Sequence, residues 1–263
     1  MTSATSDTAP SLQDVMRLVL LAGRVMLESG ANASRIEETL MRLALSCGVD
    51  SIDVFCTLTG LFFTVVKNDE VLTRVLSVRQ HGTDLGRIAA VYDLSRAVES
   101  RAVDCHTAID QMKAMVLHES MIGYPPWLKL ACSGVSSGAF AVLLGGGVYD
   151  FIPATLAGLF AQMVYSRLCR RSPEFVAIFF AVIMGTMWAL VADRLFLGTL
   201  RYITVGVVMP LVPGLALTNA VRDLIFGDLI SGLSRGAEAV LSASAIAGGV
   251  YTVLALFKMG LFI

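Results

Sequence analysis

The feature that most constrains this chain is a series of five long apolar segments in its C-terminal half. Each is close to the roughly 20 residues that an α-helix needs to cross a bilayer. The segments cover residues 127–147, 151–168, 175–196, 200–217 and 237–259. Lipid offers no hydrogen-bond partner to an open backbone, so such segments must be helical. The predicted fold class is an α-helical polytopic membrane protein with five transmembrane helices.

Charge is concentrated in the N-terminal part, which indicates a soluble domain ahead of the membrane part. Residues 1–122 hold 15 of the 21 acidic residues, while the whole chain is 56% hydrophobic and 16% charged. We predict a disordered tail over 1–11, a cytoplasmic α+β domain over 12–122 and a membrane domain over 123–263. The net charge of −1 gives no electrostatic reason to expect nucleic-acid binding.

The soluble part has an α-β-α order. Residues 12–29 are apolar, but Asp14, Arg17, Arg24 and Glu28 interrupt them, and the apolar residues recur at helical spacing. This pattern is typical of an amphipathic helix on a soluble core. The remaining elements are a helix over 34–47, strands over 51–57, 60–67 and 71–78, and helices over 84–102 and 103–118.

No enzyme active site, cofactor site or metal site is predicted. His81, His106 and His118 are the only histidines, and none belongs to an HExxH motif. The five cysteines are odd in number and show no CxxC spacing, which indicates small buried residues in a reducing compartment.

Proline, glycine and polar residues interrupt the fourth apolar segment. Pro210, Pro213 and Gly214 break it, and Asn219 and Asp223 follow at a spacing that puts both on one helix face. The break is either a kink filled by neighbouring helices or a discontinuous helix whose ends bind substrate or an ion. Because polar side chains follow directly, we predict that these five residues line a substrate or ion pathway.

A second polar stripe follows, at intervals of three and four residues. It consists of Asp228, Ser231, Arg235, Glu238 and Ser242. The stripe occupies one face of a continuous helix, and a solvated cytoplasmic loop explains it equally well. From this stripe, Asp228 and Arg235 are added to the predicted pathway.

Residues 134–138, GVSSG, formally match the G-x-S-x-G motif of serine hydrolases. That motif needs a strand–turn–helix context and a histidine partner, whereas here it lies in an apolar segment. The small residues fit a closely packed helix face instead. Ser136 and Ser137 either take part in that packing or line the pathway.

Basic residues in the connections predict the topology. The connection after the first segment has no Lys or Arg, whereas the one after the second has Arg167, Arg170 and Arg171. The positive-inside rule then makes the N-terminal domain cytoplasmic and the C-terminus periplasmic or extracellular. Arg194 and Arg201, after the third segment, oppose this assignment.

Three parts of the chain, in order, resemble the threonine/serine exporter family. They are 27–31 (LESGA) with 35–37 (RIE), 134–140 (GVSSGAF) with 145–147 (GGG), and the polar stretch 210–249. The similarity covers residues 15 to 260 and is to the family's N-terminal half, a cytosolic domain plus five membrane helices.

The resemblance implies a subunit of a bacterial inner-membrane exporter for a small polar metabolite, coupled to the proton gradient. The substrate would be threonine or serine, or a dicarboxylate such as succinate, which related two-component systems move. Full-length family members continue into further membrane helices, so we expect a second small membrane protein or a homo-oligomer to complete the transporter. Alternatives are a membrane-anchored scaffold or sensor whose soluble domain binds a partner and, less favoured, a membrane-bound hydrolase.

Overall fold

A computed structural model describes residues 10–78, 82–117 and 124–259. His81, His118, residue 123 and all but the last two residues of the predicted tail lie outside these ranges. The chain forms two compact units. Residues 1–123 with 219–234 make up the first, and residues 124–218 with 235–263 make up the second.

The N-terminal part of the first unit combines four helices with a small sheet, in the predicted α-β-α order. In chain order the elements are α1 (Leu12–Glu28), α2 (Ala33–Ser46), β1 (Ser51–Cys56), β2 (Gly60–Lys67), β3 (Glu70–Ser77), α3 (Leu85–Glu99) and α4 (Cys105–Leu117).

Helix α1 is the centre of the core of the first unit. Ser11 caps its first turn, because its hydroxyl accepts a hydrogen bond from the Asp14 backbone N–H at 3.1 Å. The apolar face predicted from the sequence is fully buried, and it packs with Leu61 and Phe63 of β2 and Met112 of α4. Because the wide apolar stripe of α1 packs against other parts of the protein, this apolar helix belongs to a protein core and not to a membrane.

The sheet is antiparallel, in the order β1-β2-β3. Ile52 of β1 pairs with Val65 of β2, and Leu61 of β2 pairs with Leu76 of β3. Asn68 and Asp69 form the two-residue turn between β2 and β3, with φ of 51° and 64°. Asn and Asp tolerate this left-handed region better than other non-glycine residues, so the turn predicted from these residues forms with little strain.

The rest of the chain is helical. Its elements are α5 (Pro126–Leu143), α6 (Val148–Leu168), α7 (Glu174–Arg194), α8 (Leu200–Val208), a 3-10 turn (Met209–Leu211), α9 (Gly214–Ile225) and α10 (Leu229–Lys258).

Glycines bring α5 and α6 into close contact. A Cβ atom on Gly134 would lie 2.7 Å from Cγ of Leu159, and one on Gly138 would lie 2.8 Å from the Phe151 carbonyl oxygen. From the other side, a Cβ on Gly158 would lie 2.6 Å from the Ser137 Cβ. The small-residue face predicted for the first apolar segment therefore packs within the chain itself.

Two described helices, α7 and α10, are long and apolar enough to cross a membrane on their own. Residues Leu200–Leu211 and Gly214–Ile225 meet the same criterion together, as a pair bent by 51°, which brings the number of candidate spans to as many as three. Lys129 in α5, and Asp150 and Pro153 in α6, make those helices less apolar. The arrangement with five spans stays a prediction.

Candidate functional site

The predicted break in the fourth apolar segment is present. Helix α8 runs into the 3-10 turn containing Pro210, and Val212 is extended, with φ of −65° and ψ of 128°. Helix α9 then begins at Gly214, and the Leu217 N–H donates to the Pro213 carbonyl at 3.0 Å. A Cβ on Gly214 would meet no atom within 4 Å. Helix α9 therefore begins directly after the break, and its first residue, Gly214, is exposed.

Helices α9 and α10 are joined by a tight turn. Gly227 has a φ of +91°, a conformation that glycine adopts without strain. Beyond the turn, a Cβ on Gly232 would lie 2.7 Å from Cγ of Leu224 and 3.0 Å from the Ala220 carbonyl oxygen. Gly227 and Gly232 thus allow α10 to fold back closely along α9.

The two carboxylates predicted for the pathway differ in burial. Asp223, in the last turns of α9, is only 1% exposed, whereas Asp228, at the turn, is half-buried. The Asp228 N–H donates to the Asp223 carbonyl at 2.9 Å, so the backbone links the two residues. Burial of a carboxylate carries a large desolvation cost, which makes Asp223 the more unusual of the two.

Four members of the second polar stripe lie on the continuous helix α10 and not in a solvated loop, whereas Asp228 lies in the turn before it. Ser231, Arg235 and Ser242 of α10 are buried, with Arg235 8% exposed, whereas Glu238 is exposed. Asn219, one turn before Asp223 on α9, is half-buried. The spacing thus identified a helix face correctly, and the members of this face differ in whether they are buried or exposed.

Glu37 belongs to this neighbourhood, although the sequence did not single it out as a site residue. Its carboxylate accepts a hydrogen bond from the Cys56 backbone N–H at 2.9 Å. The hydroxyl of Ser231 donates to the carbonyl oxygen of the same Cys56 at 3.3 Å. Glu37 and Ser231 therefore bind the backbone N–H and the backbone carbonyl of one residue, Cys56, at the end of β1.

Burial raises the pKa of Glu37, and the negative charge of Asp228 raises it further, against the opposing effect of the Cys56 N–H. A carboxyl group in such surroundings binds a proton more readily than one in water. The only signal in the sequence was the place of Glu37 in the RIE segment that resembles the exporter family.

Ser136 and Ser137 both bond back to their own helix. Their hydroxyls donate to the Ser133 carbonyl at 2.9 Å and 3.0 Å. Ser137 is fully buried against Gly158, and Ser136 is half-buried. The G-x-S-x-G segment lies inside the continuous helix α5, which lacks the strand–turn–helix context of a hydrolase.

Among the described residues, no three His, Cys, Asp or Glu side chains come together as a metal site would require. The chemistry available at the α9–α10 region is therefore that of carboxylates, one buried guanidinium group, hydroxyls and a helix N-terminus.

Comparison with known families gives one match that covers most of the chain. The family described as "Putative threonine/serine exporter" matches residues 17–257. The chain belongs to the threonine/serine exporter family. The resemblance drawn from the sequence is thereby confirmed, and with it the assignment to a family of membrane transporters.

Two bacterial relatives of this exporter-family chain carry the name "Probable succinate transporter subunit YjjP". The one from Klebsiella aerogenes is 28% identical over 253 residues, covering 94% of this chain and 95% of the relative. The one from Escherichia coli K12 is 26% identical over 251 residues, covering 93% and 95%. An "Uncharacterized protein" of Haemophilus influenzae is 21% identical over 285 residues, covering 92% and 93%. No solved structure matches the chain.

The LESGA segment that resembles the exporter family has a structural role in this chain. Gly30 ends α1 with a φ of +81°, and a Cβ there would lie 2.7 Å from the Gly82 carbonyl oxygen. The Glu28 carbonyl accepts from the Gly82 N–H at 2.8 Å, and the Glu28 carboxylate lies 3.9 Å from the buried Arg87 guanidinium. This segment joins the end of α1 to the start of α3.

Proposed function

We propose that this chain is a subunit of a proton-coupled exporter for a small metabolite that carries a carboxylate group. The observation that carries the proposal is Asp223, a carboxylate that is 1% exposed in the helix following the Pro210–Gly214 break. Ionisable residues buried in apolar helices are costly, and in transporters they mark ion or proton pathways.

The break supplies a place for the substrate. The first turn of a helix leaves backbone N–H groups without intrahelical partners, and its dipole favours an anion. Discontinuous helices use such ends to bind anionic substrate groups near the middle of the membrane. Gly214 is exposed, which leaves the N-terminus of α9 accessible to a carboxylate, and Arg235 of α10 is a further residue of the pathway in this proposal.

In this proposal five membrane segments carry the pathway. They cover residues 127–147, 151–168, 175–196, 200–217 and 237–259. The Arg167–Arg171 connection and the first unit face the cytoplasm, and the C-terminus faces the other side of the bacterial inner membrane. The pathway then includes Pro210, Pro213, Asn219 and Asp228 beside the residues named above, with Ser136 and Ser137 on the neighbouring α5.

A second small membrane protein completes the transporter in this proposal. Two relatives that match over most of their length are named transporter subunits, which supports a partner for this chain as well. Their names point to succinate, and the family description points to threonine or serine. All three metabolites carry the carboxylate that the proposed site would bind. A homo-oligomer is the alternative assembly.

Reconstitution into liposomes tests the function directly. The chain is purified alone and together with a small membrane protein that copurifies with it in mild detergent, and efflux of labelled succinate, threonine and serine is followed with and without an imposed pH gradient. We expect gradient-dependent efflux of one of these substrates from the two-component preparation and background efflux from the chain alone.

Equal transport by the chain alone would exclude the two-component proposal and favour a homo-oligomer. Binding of a cytosolic protein by the first unit, with no flux of any substrate, would instead support the scaffold or sensor.

A further inference from the structure

A basic groove opens between the start of α5 and the end of α6. Its volume is about 1040 Å³, and its lining includes Lys129 of α5, Arg167 of α6, and Arg170 and Arg171 of the following loop. All these residues belong to the second compact unit. The start of α5, the last turn of α6 and the loop after α6 thus place four positive charges around one cavity.

The groove has no negative charge of its own. None of its described lining residues is Asp or Glu, and within the described chain none of the four basic side chains forms an ion pair. The nearby Glu174 accepts a hydrogen bond from the Tyr165 hydroxyl at 3.1 Å. Four like charges around one cavity raise its potential and attract an anion.

Apolar and aromatic side chains complete the lining. Trp127 is 67% exposed and Tyr124 is 57% exposed, and Leu130 and Met163 lie deeper along the helices. Exposed Trp and Tyr at the end of an apolar helix are typical of the level of the lipid head groups. The groove therefore presents cations at its rim beside a surface suited to hydrocarbon.

We propose that this groove binds the phosphate head group of an anionic phospholipid, with the acyl chains against Leu130 and Met163. Basic pockets between membrane helices on the cytoplasmic side are known to take such head groups. The volume lies just above the usual range for small-molecule sites, roughly 300–1,000 Å³, which fits a lipid better than a four-carbon dianion. This site is separate from the proposed transport pathway and needs no assumption about the substrate.

Fluorescence of Trp127 gives a direct measure of binding. The full chain, with its partner where the two copurify, is delipidated and titrated with brominated phosphatidylglycerol or brominated phosphatidylcholine in mixed micelles. The chain contains two Trp residues, so the Trp127→Phe variant isolates the signal from the groove. We expect saturable quenching of Trp127 by phosphatidylglycerol at a concentration at least about tenfold below that needed for phosphatidylcholine.

The Arg170→Gln/Arg171→Gln variant should lose about thirtyfold in apparent affinity, the effect of removing two charges near a head group. Arg194→Gln/Arg201→Gln, a change of the same net charge in another connection, should bind like the wild type. Lys129→Gln provides a second variant should the Arg pair affect folding, which size-exclusion chromatography reports. Equal binding of both lipids, or an unchanged affinity in the groove variants, would overturn the proposal. Displacement of the lipid by succinate or inorganic phosphate at comparable concentration would assign the groove to a free anion instead.

Discussion

Two buried carboxylates in the apolar part of the chain show how position decides the role of a residue. Asp150 lies in the first turn of α6, where its oxygens accept from the backbone N–H groups of Gly147 at 2.8 Å and Thr199 at 2.6 Å. It thereby ties the turn before α6 to the turn before α8. Asp223 lies in the last turn of α9, where its carboxylate cannot cap the N-terminus of its own helix. Capping explains the burial of Asp150 and does not explain that of Asp223.

We expect Asp223→Asn to reduce transport to background, a loss of about 100-fold or more, because the amide carries neither a negative charge nor a transferable proton. Asp228→Asn provides a comparison at a second carboxylate of the proposed pathway. Asp228 is half-buried, so water screens its charge, and we expect a smaller loss of transport than for Asp223→Asn. Efflux from proteoliposomes measures both variants, with the membrane-inserted amount quantified by immunoblot. Wild-type efflux from Asp223→Asn would remove this carboxylate from the mechanism.

The raised pKa of Glu37 predicts that the stability of the folded chain depends on pH. Its pKa is raised by burial, so the folded state holds this proton more tightly than the unfolded state does. The free energy of unfolding should therefore fall as the pH rises from the ordinary Glu pKa to the raised one. Above the raised pKa the whole contribution of this proton to stability is lost. Glu37→Gln keeps an oxygen for the Cys56 N–H and removes the charge, so it should raise the unfolding temperature at neutral pH and change it little near about pH 4.

Glu38→Gln is the control for this effect. Glu38 is exposed and pairs with Arg42 at 2.7 Å, so its replacement should give no gain at neutral pH. Thermal unfolding of the detergent-purified chain at both pH values provides the comparison. A Glu37→Gln variant no more stable than wild type at neutral pH would show that the carboxylate is well solvated.

At the scale of the elements, glycine decides where helices meet. Gly134 and Gly138 of α5 lie close to residues of α6, and Gly158 of α6 lies close to residues of α5. Gly232 of α10 lies equally close to residues of α9. Because lipid is as apolar as the helix surfaces, close van der Waals contact is a main source of association between membrane helices. These glycines are therefore used within this chain, and a partner subunit must contact other surfaces.

Gly138→Ala should destabilise the helix pair by about 1–3 kcal/mol, because the added methyl group would overlap the Phe151 carbonyl and a backbone atom must move. Gly147→Ala is the matched control, since a Cβ there would approach no atom closer than 3.8 Å. Unfolding in a denaturing detergent series, followed by circular dichroism, compares the two variants. Equal stability would mean that α5 and α6 separate at little cost.

At the scale of the whole molecule, charge predicts the orientation in the membrane. Arg167 lies in the last turn of α6, and Arg170 and Arg171 lie in the loop before α7, whereas the α5–α6 connection has no basic residue. We expect reporter fusions at residues 120 and 172 to give cytoplasmic signals, and a fusion at Ile263 to give a signal from the opposite side. A fusion at residue 146 on the outer side provides the internal control. A cytoplasmic C-terminus would require an even number of spans.

The sequence alone determined the features that arise from local patterns. The spacing of apolar residues separated the amphipathic α1 from the membrane segments, Pro210 and Gly214 marked the break, and the order of the motifs identified the family. Periodicity also showed that Ser231, Arg235 and Ser242 share a face of α10, since that depends only on the 3.6-residue turn. These properties are encoded within one or two turns of chain, where neighbouring residues fix the geometry.

Only the tertiary structure decided which distant residues meet. Ser231 donates to the Cys56 carbonyl across 175 positions of sequence, and Glu37 accepts from the backbone N–H of the same residue. Lys129 and Arg167 line one groove because α5 and α6 pack side by side through glycines. Such pairings arise from how whole elements bury their surfaces against one another, and local periodicity carries no information about the partner that each surface will find.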